Sequence, residues 1–275
     1  MGRIFEAMQR AASKEDAAPS DSLFLAMDPD LLDPASPAAE LEGARPLAVG
    51  PDPEQRLVAL ERTRSLGTEK VRILAAKLRH IQEQRGIKKL LITSSVKDEG
   101  KTLLSVNLAI SFARLKQRVL LIDGDFHQAS AGHLLGVDGA PGLMDWHRTG
   151  ASIENFLRRV EGFSLWFLPA GPLLDQPVAV LQSQQTLNLI AKLCSSFDWV
   201  CIDSPPAALL ADSAVWGKLA DAIVLVTRAG KTPKRLLKKV VASLDQGKLL
   251  GVVLNDCSDP DQQYYHHYYT NNKTT

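Results

Sequence analysis

The chain has 275 residues, 45% of them hydrophobic, enough for one large α/β domain with a sizeable core plus extensions. Lys and Arg number 32 against 31 Asp and Glu, and a net charge of +1 gives no global reason to expect nucleic acid or an anionic membrane as the main partner. Three cysteines, Cys194, Cys201 and Cys257, have no metal-ligand spacing and suit a reducing cytoplasm.

No apolar run approaches the ~18 residues that would span a bilayer. The first residues, MGRIFEAMQRAA, lack the apolar core of a signal peptide, and Glu6 breaks the myristoylation pattern. The expectation is a soluble, cytoplasmic chain. Ile4, Phe5 and Met8 fall on one side of a short helix pattern, which reads either as a frayed end or as a docking segment. Residues 14 to about 56 hold seven prolines among Ala, Asp and Glu, a composition that packs poorly. Residues 1–60 are therefore expected to be a flexible region.

A helix pattern covers about 65–84, and KKLLITSS then reads as a short buried strand. A helix should run from Lys101 to about Lys116, with Leu104, Leu108, Phe112 and Leu115 on one face. RVLLID, FSLWFLPAG and WVCIDS are further strands, the last preceded by one long helix over about 177–197. DAIVLVTRAG and KLLGVVLN close the set, separated by a helix around 232–245. Apolar runs alternating with helices predict a single doubly wound α/β domain over 61–257, its mostly parallel sheet covered on both faces. Residues 258–275 are polar and hold all four tyrosines, Tyr264, Tyr265, Tyr268 and Tyr269, so a disordered tyrosine-rich tail is expected.

Between the first buried strand and its helix lies Ser95-Val96-Lys97-Asp98-Glu99-Gly100-Lys101-Thr102. A phosphate loop needs backbone N–H groups curled around an anion and a helix N-terminus facing it. Ser95, Glu99, Gly100, Lys101 and Thr102 are the candidate nucleotide contacts. Gly100 allows close approach, Lys101 reaches the β- and γ-phosphates, and the Thr102 hydroxyl holds a magnesium ion. Ser95 stands where the strict pattern has its first glycine. LLIDGDF puts Asp123 and Asp125 at one strand end, and VCIDSPP puts Asp203 at another. Ligands of doubly wound sheets bind at the carboxyl ends of strands, so three carboxylates converge on the phosphate loop. Asp123 and Asp203 suit a metal role, and Asp125 is spaced to reach a nucleophile.

Together these residues resemble the bacterial tyrosine kinases of capsule and exopolysaccharide systems, P-loop proteins of the deviant Walker type. The resemblance covers roughly residues 60–269 and rests on TSSVKDEGKT, LLIDGDF and VCIDSPP, with LPAG, LLGVVLN and the terminal tyrosine cluster. It implies ATP and Mg2+ as cofactors, catalysis by Lys101, Asp123 and Asp125, and autophosphorylation of Tyr264, Tyr265, Tyr268 and Tyr269. It also implies a membrane-bound co-polymerase-type protein as activator, homo-oligomerisation, a tyrosine phosphatase as antagonist and no nucleic-acid partner. The chain would then sit at the inner face of the plasma membrane through its partner. Three positions depart from the family pattern. His127 stands for an arginine, Lys97-Asp98 for a frequent Pro-Gly, and Ala75 for the second arginine of an oligomerisation motif of which Glu69 and Arg72 are present. Two alternatives follow from the same residues. One is a partitioning or positioning ATPase, whose signature lysine would fall at Val96; the other is a noncatalytic nucleotide-binding adaptor.

Overall fold

The computed structural model describes residues 41, 43–49, 57–61, 65–173, 175–208 and 210–257. Eight strands form one sheet: β1 (Arg45–Leu47), β2 (Lys89–Ser94), β3 (Val119–Asp123), β4 (Arg158–Val160), β5 (Leu165–Leu168), β6 (Trp199–Asp203), β7 (Ala222–Arg228) and β8 (Leu249–Asn255). Their order is β1-β4-β5-β3-β6-β2-β7-β8, parallel throughout except where β4 meets β5. The six apolar runs read from the sequence are the six inner and right-hand strands. β1 and β4, three residues each, had no sequence signal. The flexible region read up to residue 60 contains β1, and Leu41, Leu47, Leu57 and Leu60 within it are buried.

The central strands are buried on both faces and their side chains alternate between two cores. Leu91, Leu120, Ile122, Val200 and Ile202 point to one. Leu90, Ile92, Val119, Leu121 and Cys201 point to the other. Helices α1 (Leu66–Arg85), α2 (Lys101–Arg114) and α3 (Ser130–Leu134) cover the second face, where Phe112 stacks on Trp199 with centroids 4.4 Å apart. Helices α4 (Leu143–Thr149), α5 (Pro177–Gln182), α6 (Gln184–Ser196) and α7 (Ala211–Leu219) cover the first. Helix α8 (Lys234–Ser243) links β7 to β8 at the edge of the sheet.

Helix α1 starts where the Ser65 hydroxyl accepts the Thr68 N–H and stops at Gly86, which takes φ +67° and donates its N–H to Gln82 O. The single long helix expected over 177–197 is in fact two. Ser183 is extended (φ −65°, ψ 142°), ends α5, and accepts the Thr186 N–H as the cap of α6. A serine favours the cap because its side chain competes for backbone donors, and the apolar periodicity runs on across the break and hides it. Among the described residues no helix is long and apolar enough to cross a membrane.

Candidate active site

The loop after β2 is held from several sides. Glu99 is buried, and its carboxylate accepts the Val96 N–H (2.9 Å) and the Thr227 hydroxyl (3.3 Å). It also accepts the Arg228 N–H (3.4 Å) and the Thr232 hydroxyl. That carboxylate ties the loop to the β7 end, which leaves the backbone N–H of Glu99 as the group this residue can offer a nucleotide. Asp98 takes φ +62°, the left-handed conformation natural to a glycine, and Asp is among the residues that tolerate it best. Gly100 has φ +91°, and a Cβ there would lie 2.2 Å from Asn255 Nδ2, which itself donates to Glu99 O at 2.9 Å. Any other residue at position 100 would be strained in its backbone and would displace the Asn255 side chain. Ser95 is buried, and its hydroxyl has no hydrogen-bond partner.

Helix α2 begins directly after Gly100, with no acidic side chain in its first turn. Lys101 Nζ lies 2.9 Å from Asp125 Oδ2 and 3.9 Å from Asp203 Oδ2, and donates to Thr102 Oγ1 at 3.1 Å. Asp123 and Asp203 face each other in register across β3 and β6, which is why two carboxylates 80 residues apart meet. Asp203 Oδ1 accepts from the Ser105 hydroxyl (3.1 Å), while Oδ2 has no hydrogen bond. Asp123 accepts the N–H groups of Ala131 (3.1 Å) and Asp125 (3.3 Å). The sequence-derived cluster Lys101, Thr102, Asp123, Asp125 and Asp203 is thus one buried constellation.

Its electrostatics are those of a site made for a cation and an anion. Burial opposes the Lys101 ammonium, but Asp203 and then Asp125 outweigh it and hold its pKa above the ordinary lysine value. Burial lifts the Asp123 carboxyl well above the usual range, and the neighbouring Asp203 charge adds to this. A carboxyl raised on folding stays protonated in the native state at pH values where the unfolded chain has already ionised. Stability therefore falls as pH climbs from about 4 toward the raised native value. Asp123→Asn is expected to flatten the loss of unfolding temperature as pH rises above about 4 in the nucleotide-free chain. Identical slopes for wild type and variant, measured by calorimetry, would refute that assignment.

Residues that sequence reading missed hold the aspartates in place. A Cβ at Gly124 would lie 2.6 Å from Trp216 Nε1 and 2.9 Å from Asp203 O. Gly124 donates its N–H to Asp203 O (2.7 Å) and accepts from Trp216 Nε1 (3.1 Å), locking β3, β6 and α7 together beside the site. His127, standing for the family arginine, pairs through Nε2 with the buried Asp212 of α7 at 2.9 Å. Gly124 lay within the LLIDGDF run, His127 just after it and Asn255 at the end of LLGVVLN, whereas Trp216 left no trace in the sequence.

The other predicted residues lie apart. Arg72 and Glu69 form an i,i+3 pair at 3.6 Å on the exposed side of α1. Ala75 is fully buried in the core under α1, so this position does not continue that exposed pair. Tyr264, Tyr265, Tyr268 and Tyr269 lie outside the described residues.

Among the described residues, no three His, Cys, Asp or Glu side chains converge to hold a metal alone. Magnesium suits what is present. It takes one or two carboxylates with a hydroxyl, and fills its remaining positions with phosphate oxygens and water. Asp203 Oδ2, which accepts no hydrogen bond, and the Thr102 hydroxyl are oxygen ligands of that kind.

A phosphate loop on a helix N-terminus, with acidic strand ends beside it, defines a P-loop nucleotide-binding protein. The chain matches the CobQ/CobB/MinD/ParA nucleotide binding domain model over residues 90–273. It is 30% identical over 204 residues to the tyrosine-protein kinase YwqD of Bacillus subtilis (strain 168), covering 74% of this chain and 86% of that protein. It is 37% identical over 175 residues to the tyrosine-protein kinase CpsD of Streptococcus pneumoniae serotype 4, covering 62% and 76% respectively. The VpsO kinase domain superposes with a TM-score of 0.61 at 29% identity, over 70% of this chain and 100% of that domain. The chain belongs to the bacterial tyrosine-protein kinase family within the P-loop class.

Proposed function

We propose that the chain is an ATP- and magnesium-dependent protein-tyrosine autokinase that regulates capsule or exopolysaccharide biosynthesis and export. The observation that carries this reading is Lys101, held at the first position of α2 between Asp125 and Asp203. In this reading Lys101 and the N–H groups from Ser95 to Thr102 neutralise and orient the phosphates. Thr102, Asp123 and Asp203 would hold magnesium, which would supply charge neutralisation at the phosphates. Phosphates draw the Lys101 ammonium away from Asp125, and the freed carboxylate takes the proton of the acceptor tyrosine, whose unperturbed pKa is about 10. The phenol oxygen bonds to the γ-phosphorus, the bond to the β–γ bridging oxygen breaks, and ADP leaves.

Residues 61–257 form the kinase domain of this proposal, 258–275 the substrate tail and 1–60 a preceding segment. Homo-oligomers assembled through Glu69 and Arg72 bring a neighbour's tail to each site. A co-polymerase-type membrane protein activates the chain and holds it at the cytoplasmic side of the membrane, and a tyrosine phosphatase resets it. Incubation of the purified chain with Mg2+ and ATP, followed by mass spectrometry, should find phosphate on Tyr264, Tyr265, Tyr268 or Tyr269. Changing all four to Phe should remove at least about nine-tenths of it, since a phenol hydroxyl is the acceptor. Phosphate accumulating elsewhere at the wild-type rate would refute the tail as acceptor.

A further inference from the structure

Helix α8 carries Lys234, Arg235, Lys238 and Lys239 on one face, and Lys231 stands in the turn before it. All five are exposed, whereas Leu236, Leu237, Val240 and Val241 turn inward. The helix contains no acidic residue, and none of the five cations has a carboxylate partner among the described residues. Three of them crowd the N-terminal end, where the helix's own partial positive charge repels them. No acidic side chain lies in the first turn, and Pro233 makes no side-chain cap there. The near-zero net charge of the whole chain conceals this. Residues 57–275 hold 27 Lys and Arg against 20 Asp and Glu, the excess acid lying earlier in the sequence. Unbalanced cations at a helix start cost stability until an anion answers them.

We infer that this stripe is a phosphotyrosine-binding surface, and that its occupant is the phosphorylated tail, residues 258–275 of the same chain. The inference rests on the tail tyrosines being the acceptors. Position favours this occupant. Strand β8 ends at Asn255, whose carbonyl accepts the N–H of Ala229 (2.9 Å) at the entry to the α8 turn. Arg228 grips Asp256 at 2.6 Å. The tail therefore leaves from the sheet edge at which the stripe begins. Tyr264, seven residues past Cys257, has an extended reach of up to about 25 Å, and α8 is only about 15 Å long.

Charge favours it too. The unmodified tail carries only Asp259, Asp261 and Lys273 and offers the stripe almost nothing. Each phosphotyrosine adds about −1.5 to −2 charges. Arg235 supplies a planar fork for phosphate, and the lysines act as point charges around it. A bilayer with anionic lipids would meet the same cations, but a tethered tail acts at an effective concentration of about millimolar. Once phosphorylated, a tail would be drawn onto its own α8 and withdrawn from neighbouring active sites.

The test uses the full chain with Lys101→Met, so that it carries no phosphate of its own. A fluorescent peptide spanning 261–273, phosphorylated at Tyr265 and Tyr268, is titrated in by anisotropy beside its unphosphorylated form and a form with Glu at both positions. The phosphorylated peptide should bind at least tenfold more tightly than either control. Lys234→Glu with Lys238→Glu should abolish that difference without lowering the unfolding temperature. Equal binding of all three peptides, or binding unaffected by the charge reversal, would overturn the inference. So would recruitment to phosphatidylglycerol vesicles with no binding of the peptide. If the peptide binds but mass spectrometry finds no phosphate on the tail, the acceptor reading falls and takes the occupant with it. If the tail is phosphorylated and the peptide does not bind, this inference alone falls.

Discussion

Lys101→Met will lower phosphoryl transfer by about a thousandfold or more while the chain stays folded. Transfer of a phosphoryl group asks little covalent work of a protein and much charge neutralisation, so the loss of a preorganised cation is felt directly in the rate. Here the cation is also the counter-charge of its own surroundings. With the ammonium gone, Asp125 and Asp203 lose the group that lies 2.9 and 3.9 Å away, and Asp123 loses a nearby positive charge as well. Methionine restores the volume but not the charge, and the pocket turns repellent to ATP. Phosphotyrosine formation and ATP affinity should therefore fall together, with near-wild-type circular dichroism. Turnover within a few-fold of wild type would remove Lys101 from the mechanism.

Ala75→Arg will destabilise the chain by about 3–5 kcal/mol, the scale for an uncompensated buried charge. Motif completion argues the opposite, since an arginine there would finish the Glu69–Arg72 series and strengthen assembly. Ala75, however, has 0% exposure and packs in the core under α1. A guanidinium at that position must either stay there without a partner or push α1 off α2. Chemical denaturation should show the loss, and sedimentation should show no gain in mass. A more stable, more associated variant would mean that α1 can rotate to present position 75 outward.

The sequence made the centre of the fold legible and its margins illegible. The six long strands announced themselves as apolar runs, which burial on both faces leaves unbroken in the inner ones, such as LLIT and VLLID. β1 (RPL) and β4 (RRV) are short and half charged, and only their neighbours make them strands. Lys101, Thr102, Asp123, Asp125 and Asp203 could be read because each sits at a strand end or a helix start next to a recognisable turn. Gly124, Trp216 and Asn255 could not. Their importance lies in close approaches between elements distant in the chain, such as the 3.1 Å bond from Trp216 to Gly124, 92 residues apart. Ala75 misled because spacing along a helix tells which residues share a face, but not which way that face turns.

Asn255 is the last residue of β8 and at the same time the brace of the nucleotide loop, through its bond to Glu99 O. This dual employment sets where the chain can be shortened. A cut after Cys257 takes away the tyrosines and leaves the brace in place. A cut only three residues earlier takes Asn255 as well, and opens beside Gly100 the space its side chain filled. Two truncations that look equivalent on paper thus remove different things, the tyrosine-bearing tail alone in one case and part of the nucleotide pocket's wall as well in the other. Inactivity of the shorter one says nothing about whether the tyrosines matter.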